Sequence, residues 1–121
     1  MADISIRASE LARHWIAAWN AHDLERILVL FAEEVEVSSP GIIKQGINAE
    51  GRIKGKEALR AYWTRALAHL PNLHFVLLDV SASPDSVVIR YRNDRDMAIC
   101  EYLRLNEGGL IVQVAANWLV E

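Results

Sequence analysis

The amino-acid sequence predicts an α+β domain in which helices come first and a sheet of long antiparallel strands follows, the helices covering one face of a curved sheet. Three observations carry that reading. Apolar residues before Pro71 recur at three- and four-residue spacing, four later segments are rich in β-branched and aliphatic residues, and the turns between those segments are polar. A cone enclosed between the two layers is the expected ligand site.

Each element has its own signal. Leu11, Trp15, Ala18 and Trp19 place two indoles on one stripe of a first helix that ends near Asn20. Asp23 caps a second helix with Leu24, Ile27, Leu28 and Phe31 on its apolar face, and the short connection makes the pair a hairpin. A brief strand, Val35 to Val37, is closed by Ser38, Ser39 and Pro40. The stretch from Gly41 to Gly55 carries four glycines and weak periodicity, which predicts a long loop or ragged hairpin and a candidate lid. A third helix begins near Lys56, buries Leu59, Tyr62, Trp63, Ala66, Leu67 and Leu70, and stops at Pro71. Strands are then predicted over Leu73 to Ser81, Ser86 to Arg92, Met97 to Leu105 and Leu110 to Val120. The turns between them have hairpin chemistry, the last containing Gly108 and Gly109.

Composition bounds the function. A chain of 121 residues, 52% hydrophobic and 24% charged, reads as one ordered domain over 1–121 without a linker. A formal net charge of -3 gives no general electrostatic support to nucleic-acid binding. The apolar runs are far shorter than the roughly 18 residues of a membrane span. The first residues lack the apolar stretch of a signal peptide, so a cytoplasmic protein with no membrane association is expected. Cys100 is the single cysteine, which removes an internal disulfide and a thiolate cluster. His14, His22, His69 and His74 show no metal-binding spacing, and phosphate-loop and dinucleotide fingerprints are absent. No metal or cofactor is expected.

Glu101 is the residue most out of place. It shares a strand face with Met97, Ile99, Leu103 and Leu105, so alternation aims it inward unless the strand's other face is the buried one. A carboxylate facing a core has a partner, becomes neutral through a raised pKa, or lines a cavity that something else enters. Tyr91 shares parity with Val87 and Ile89 and is expected to face inward too, although a register slip would present Arg90 and Arg92 instead. His74, opening a strand, either partners Glu101 at the cone mouth or caps the sheet edge. Lys44, Arg52, Lys54, Lys56, Arg60 and Arg65 form a basic cluster that either attracts an anionic substrate or is a solvated face.

Four stretches in order resemble one family. Trp15 to Leu24 (WIAAWNAHDL) is similar to the first helix and turn of the nuclear-transport-factor-2-like superfamily, in its SnoaL-like branch of polyketide cyclases and ketosteroid isomerases. Leu30 to Pro40 (LFAEEVEVSSP) resembles the second helix and first strand, and Ile53 to Trp63 (IKGKEALRAYW) the third helix. Ile99 to Ile111 with Ala116 to Trp118 resembles the last two strands. The resemblance covers nearly the whole chain. It implies three N-terminal helices on a strongly curved sheet, mixed but mostly antiparallel, forming a cone, with family members commonly dimerising through the outer sheet face.

The resemblance also implies a site. Ketosteroid isomerases use a carboxylate to move a proton, and a tyrosine with a protonated acid to stabilise a dienolate oxygen. Glu101 falls at the protonated acid, Trp15 at the tyrosine and Ser39 at the proton-shuttling aspartate. An indole donates a hydrogen bond but does not ionise, and serine is no base. A standard ketosteroid isomerase is therefore not expected. The implied walls are Trp15, Trp19, Phe31, Tyr62, Trp63, Ile99, Val114, Ala116 and Trp118, with Ser39, Tyr62 or Tyr91 placed to orient a carbonyl.

Two functions follow from that set. In one, the cone binds a small hydrophobic carbonyl compound and Glu101 transfers a proton without a cofactor, as an isomerase, cyclase or dehydratase. In the other, the domain is a non-catalytic module whose cone binds an apolar ligand or is merely packed by its own aromatics, and whose outer sheet face pairs with another copy as a homodimer.

Overall fold

The computed structural model describes residues 2–120, and Met1 and Glu121 lie outside them. The elements in chain order are α1 (Ala2–Asn20), α2 (Leu24–Leu28), β1 (Phe31–Ser38), α3 (Pro40–Lys44), β2 (Arg52–Lys54), α4 (Lys56–His69), β3 (Val76–Ala82), β4 (Ser86–Arg92), β5 (Ala98–Leu105) and β6 (Ile111–Trp118). One six-stranded sheet has the order β2-β1-β6-β5-β4-β3. It is mixed, because β1 pairs with β6 in parallel while every other neighbour is antiparallel. The α+β architecture is the one expected, and the order explains how a chain-distant strand meets the last one.

α1 buries Ala8, Ala12, Trp15, Ala18 and Trp19, a stripe at helical spacing in which three alanines bring the backbone close to its neighbours. Leu11, expected on that stripe, is only half-buried. The helix packs mainly on β3. His22 takes φ 54° in the tight turn that follows. Asp23 then caps α2, accepting from the Arg26 amide at 3.2 Å.

Asn20 closes a longer-range clamp. Its amide nitrogen donates to the Phe75 carbonyl at 2.9 Å, and its amide oxygen accepts from the Phe75 N–H at 2.7 Å. His22 Nε2 lies 2.8 Å from the Leu73 carbonyl oxygen. These bonds hold the segment before β3 against the helical hairpin as an extra strand would, and so fix Leu73 and Phe75 in the core.

Several boundaries differ from those predicted. Phe31 begins β1 instead of ending the second helix, and β1 is longer than Val35 to Val37. The β1–β6 register shifts between Phe31 and Glu36, so Phe31 and Ala32 are buried in succession and alternation is lost. The predicted loop from 41 to 55 instead contains α3, making a fourth helix, and β2, which pairs antiparallel with β1. Ile42 is wholly buried there, and Asn48 Oδ1 ties down the Gly51 and Arg52 amides at 2.8 and 3.3 Å. β3 starts at Val76, not Leu73, β5 at Ala98, and β6 ends at Trp118. β4 runs from Ser86 to Arg92 as predicted.

Candidate functional site

Glu101 stands mid-strand on β5, flanked by Ile89 of β4 and Ala116 of β6. Alternation on β5 buries Ile99, Glu101 and Leu103, so the carboxylate points into the core, 7% exposed. It is the one buried acid among the described residues, and none of their Lys, Arg or His side chains forms an ion pair with it. Its partner is Tyr91. The phenol sits two residues beyond Ile89 on the same face of β4, a diagonal neighbour, and donates to Glu101 Oε1 at 2.9 Å.

That environment sets the protonation. Burial pushes the Glu101 pKa up to about 7, with the Tyr91 hydrogen bond pulling the other way. Tyr91 is held well above its usual range by burial, then by the Glu101 charge and hydrogen bond, so it stays a donor. Near neutral pH Glu101 is therefore divided between acid and carboxylate, the condition in which a group both gives and takes a proton readily.

The acid lies at a cavity of about 210 Å³ between the helices and the sheet. The structure brings Glu101 and the wall residues implied by the sequence to its lining: Trp15, Trp19, Phe31, Ser39, Tyr62, Trp63, Tyr91, Ile99, Val114, Ala116 and Trp118. Aromatic contacts make the wall continuous. Trp15 stacks on Phe75 with centroids 5.9 Å apart, Phe75 lies 4.1 Å from Tyr91, Trp19 meets Trp63 edge-on at 4.9 Å, and Phe31 lies 5.4 Å from Trp63.

Three polar atoms of this wall are buried without a hydrogen-bond partner: Trp15 Nε1, Trp19 Nε1 and Glu101 Oε2. Buried donors and acceptors are normally satisfied, and all three of these unpaired atoms belong to residues that line the cavity. Two are indole donors. The third donates when Glu101 is protonated and accepts when it is not.

Ser39 has a structural task. As the residue before Pro40 it caps α3, its hydroxyl oxygen accepting from the Gly41 N–H at 3.1 Å. Gly41 in turn leaves room for Tyr62, whose hydroxyl lies only 3.1 Å from where a Cβ would stand. Burial raises the Tyr62 pKa, which keeps that phenol protonated as well.

The structure decides between alternatives that the sequence left open. His74 is exposed and absent from the cavity lining, so it is no partner of Glu101. Half of the basic cluster is engaged in ion pairs elsewhere: Arg52 with Glu36 at 3.1 Å, Lys56 with Glu33 at 3.9 Å, and Arg60 with both Glu25 and Glu57. Of the cluster only Lys44 reaches the cavity. Leu73 and Phe75 were missed as wall residues, although Leu73, Phe75 and Leu77 share the parity that would have found them. The rim residues Gln45, Asp94 and Arg95 carried no such signal.

Among the described residues no helix is long and apolar enough to cross a membrane, and no three His, Cys, Asp or Glu side chains gather to hold a metal ion.

Comparison with known proteins assigns the fold to a family. Residues 12–114 match the family model of the SnoaL-like domain. A SnoaL-like protein of unknown function from Burkholderia thailandensis E264 is 37% identical, with a TM-score of 0.91 over 95% of this chain and 96% of that one. A Kribbella flavida protein named provisionally as a ketosteroid isomerase is 18% identical, with a TM-score of 0.74 over 95% of this chain and 79% of that one. A Sinorhizobium meliloti protein named provisionally as a polyketide cyclase is 14% identical, with a TM-score of 0.73 over 89% and 94%. At those identities the last two show likeness of fold alone. No curated protein matches closely enough to count as a relative. With most of its length matched and a close structural relative of the same kind, the chain belongs to the SnoaL-like family, with the fold of the nuclear-transport-factor-2-like superfamily.

Proposed function

We propose that the cavity binds a small hydrophobic carbonyl compound and that Glu101 transfers a proton on it without a cofactor, as an isomerase, cyclase or dehydratase. The observation that carries this reading is the buried, unpaired Oε2 of an acid whose pKa is pushed up to about 7 at a cavity walled by aromatics. Tyr91 holds the carboxyl by Oε1 and leaves Oε2 for the ligand. As carboxylate, Glu101 removes a proton from the carbon beside the carbonyl; as acid, it returns that proton to another carbon or to oxygen. The indole N–H groups of Trp15 and Trp19 are the donors available to the developing enolate oxygen.

Size narrows the ligand. An apolar cavity of about 150 Å³ accepts benzene, and drug-sized sites start near about 300 Å³. At about 210 Å³ the cavity suits one substituted six-membered ring rather than a tetracycle.

The test is deuterium exchange into cyclic ketones and enones, followed by proton NMR. Wild-type protein is expected to accelerate exchange beside the carbonyl with a midpoint near pH 7, and Glu101→Gln to abolish it. Equal exchange by the two proteins would remove Glu101 from the chemistry.

A second reading, ligand binding without chemistry, is favoured by Ser39 and Trp15. One is engaged as a helix cap and the other does not ionise, so Glu101 has no second proton carrier at the positions the family uses. In either reading we propose a homodimer. Val88, Cys100, Tyr102 and Ala115 lie on the sheet face opposite Glu101 and are only half-buried in the single chain. Light scattering is expected to give twice the chain mass, and Tyr102→Arg to give the single mass.

A further inference from the structure

The rim of the cavity differs in kind from its interior. Of the residues that line it, the exposed ones are Lys44, Gln45, Asp94 and Arg95, all polar and two of them cationic. They come from α3 and the turn between β4 and β5, which the fold brings to one opening. Behind them the wall is aromatic and aliphatic apart from Glu101, a buried turn amide and a few hydroxyls.

Two observations make the cations more than incidental surface charge. Neither Lys44 nor Arg95 forms an ion pair among the described residues, whereas Arg52, Lys56 and Arg60 each do. Lys44 Nζ also lies over the Trp118 ring, 5.9 Å from its centroid, and Trp118 is itself a wall residue. The ammonium is thus held at the opening.

Arg95 sits on a fixed turn. Asn93 is buried, and its Oδ1 accepts from the Arg95 and Met97 amides at 2.9 Å each. Asp96 is drawn to Arg92 at 3.5 Å, which leaves Asp94 as the only acid on the rim. Two cations against one acid give the opening a positive balance on a chain whose formal net charge is -3.

We propose that the ligand of this cavity is an anionic amphiphile, with its apolar carbonyl-bearing ring in the cone and a carboxylate at the rim against Lys44 and Arg95. This rests on the cavity being a ligand site for carbonyl compounds. An anionic end on the ligand would supply the counter-charge that the protein withholds from these two cations, and it would orient the ring with its carbonyl end inward. Exposed charge pairs are individually weak, so the rim contributes discrimination and orientation more than affinity.

The test compares 3-(4-oxocyclohexyl)propanoate with its methyl ester, which share the ring and carbonyl and differ in charge. Binding is read by quenching of tryptophan fluorescence at low and high ionic strength. The acid is expected to bind about three- to tenfold tighter than the ester at low ionic strength. That preference should shrink in the double variant Lys44→Met, Arg95→Gln and at high salt. Asp94→Asn should widen it.

Equal binding of acid and ester, or tighter binding of the ester, would overturn the anionic-ligand proposal while leaving the cavity reading intact. Failure of both probes to bind would overturn the two together. A preference for the acid that persists in the double variant would place the anion elsewhere and also overturn the assignment to this rim.

Discussion

Glu101→Gln should change the pH dependence of stability more than its magnitude at any one acid pH. Glutamine keeps nearly the shape of the side chain and can still accept from Tyr91, but never ionises. In the wild-type protein burial raises the Glu101 pKa from an ordinary 4.5 to about 7. The folded state therefore holds this proton more tightly than the unfolded state does. The resulting stability is present in full below about pH 4.5, declines as the pH rises through the window, and is gone above about pH 7. At about 1.4 kcal/mol per pH unit across that window, the loss is on the order of 3 kcal/mol.

The difference between the two proteins isolates this one group across the window, since Tyr91, whose titration depends on Glu101, stays protonated throughout it. Urea unfolding, read by tryptophan fluorescence, should show the variant gaining on wild type by about 3 kcal/mol between the acid and alkaline ends of the window. With a slope of about 1–3 kcal/mol/M in urea, the relative midpoint moves by about 1–3 M. Parallel stability curves would refute the reasoning, because they would mean that folding leaves the Glu101 pKa where it is in the unfolded chain. A gain toward acid pH would refute its sign.

Tyr91→Phe removes the one hydrogen bond that favours the ionised carboxylate, so the Glu101 midpoint should rise by about one pH unit or more. Carboxyl NMR checks this, and a fall would mean that Tyr91 does not stabilise the charged form. Asn20→Ala breaks both bonds to Phe75 and should cost about 2 kcal/mol in thermal or urea unfolding while loosening the Leu73 and Phe75 wall. An unchanged melting temperature would show that the clamp is not holding that segment. Phe75→Ala should cost about 3–5 kcal/mol by unfolding, since the ring packs against Trp15, Trp19 and Tyr91; a loss below about 1 kcal/mol would deny it a core position.

The parts of the site legible in the sequence were those set by strand parity and helical spacing. Val87, Ile89 and Tyr91 placed the phenol, Ile99 and Leu103 placed Glu101, and the four-residue step from Trp15 to Trp19 placed both indoles. What was not legible depended on irregular backbone or on distant partners. Phe31 continued a helical spacing from Leu28, but the register shift in β1 put it on a strand. α3 is too short to show periodicity, although Ser39 followed by Pro40 is an N-terminal capping signal that could have announced it. Phe75 is held by Asn20, 55 positions away, and the rim exists only because α3 and the β4–β5 turn meet in space. Residue types alone could not pair Glu101 with Tyr91 rather than His74, because that choice follows from the diagonal register of β4 and β5.

The central claim is that a buried acid at the cavity holds its proton up to neutral pH. Carbon-13 NMR of glutamate-labelled protein, with the Glu101 carboxyl signal identified by its absence in Glu101→Gln, measures this directly. The account predicts a single titration with its midpoint at about 7. A midpoint near the ordinary 4.5 would contradict it, and would leave the cavity without the group on which the proposed proton transfer depends.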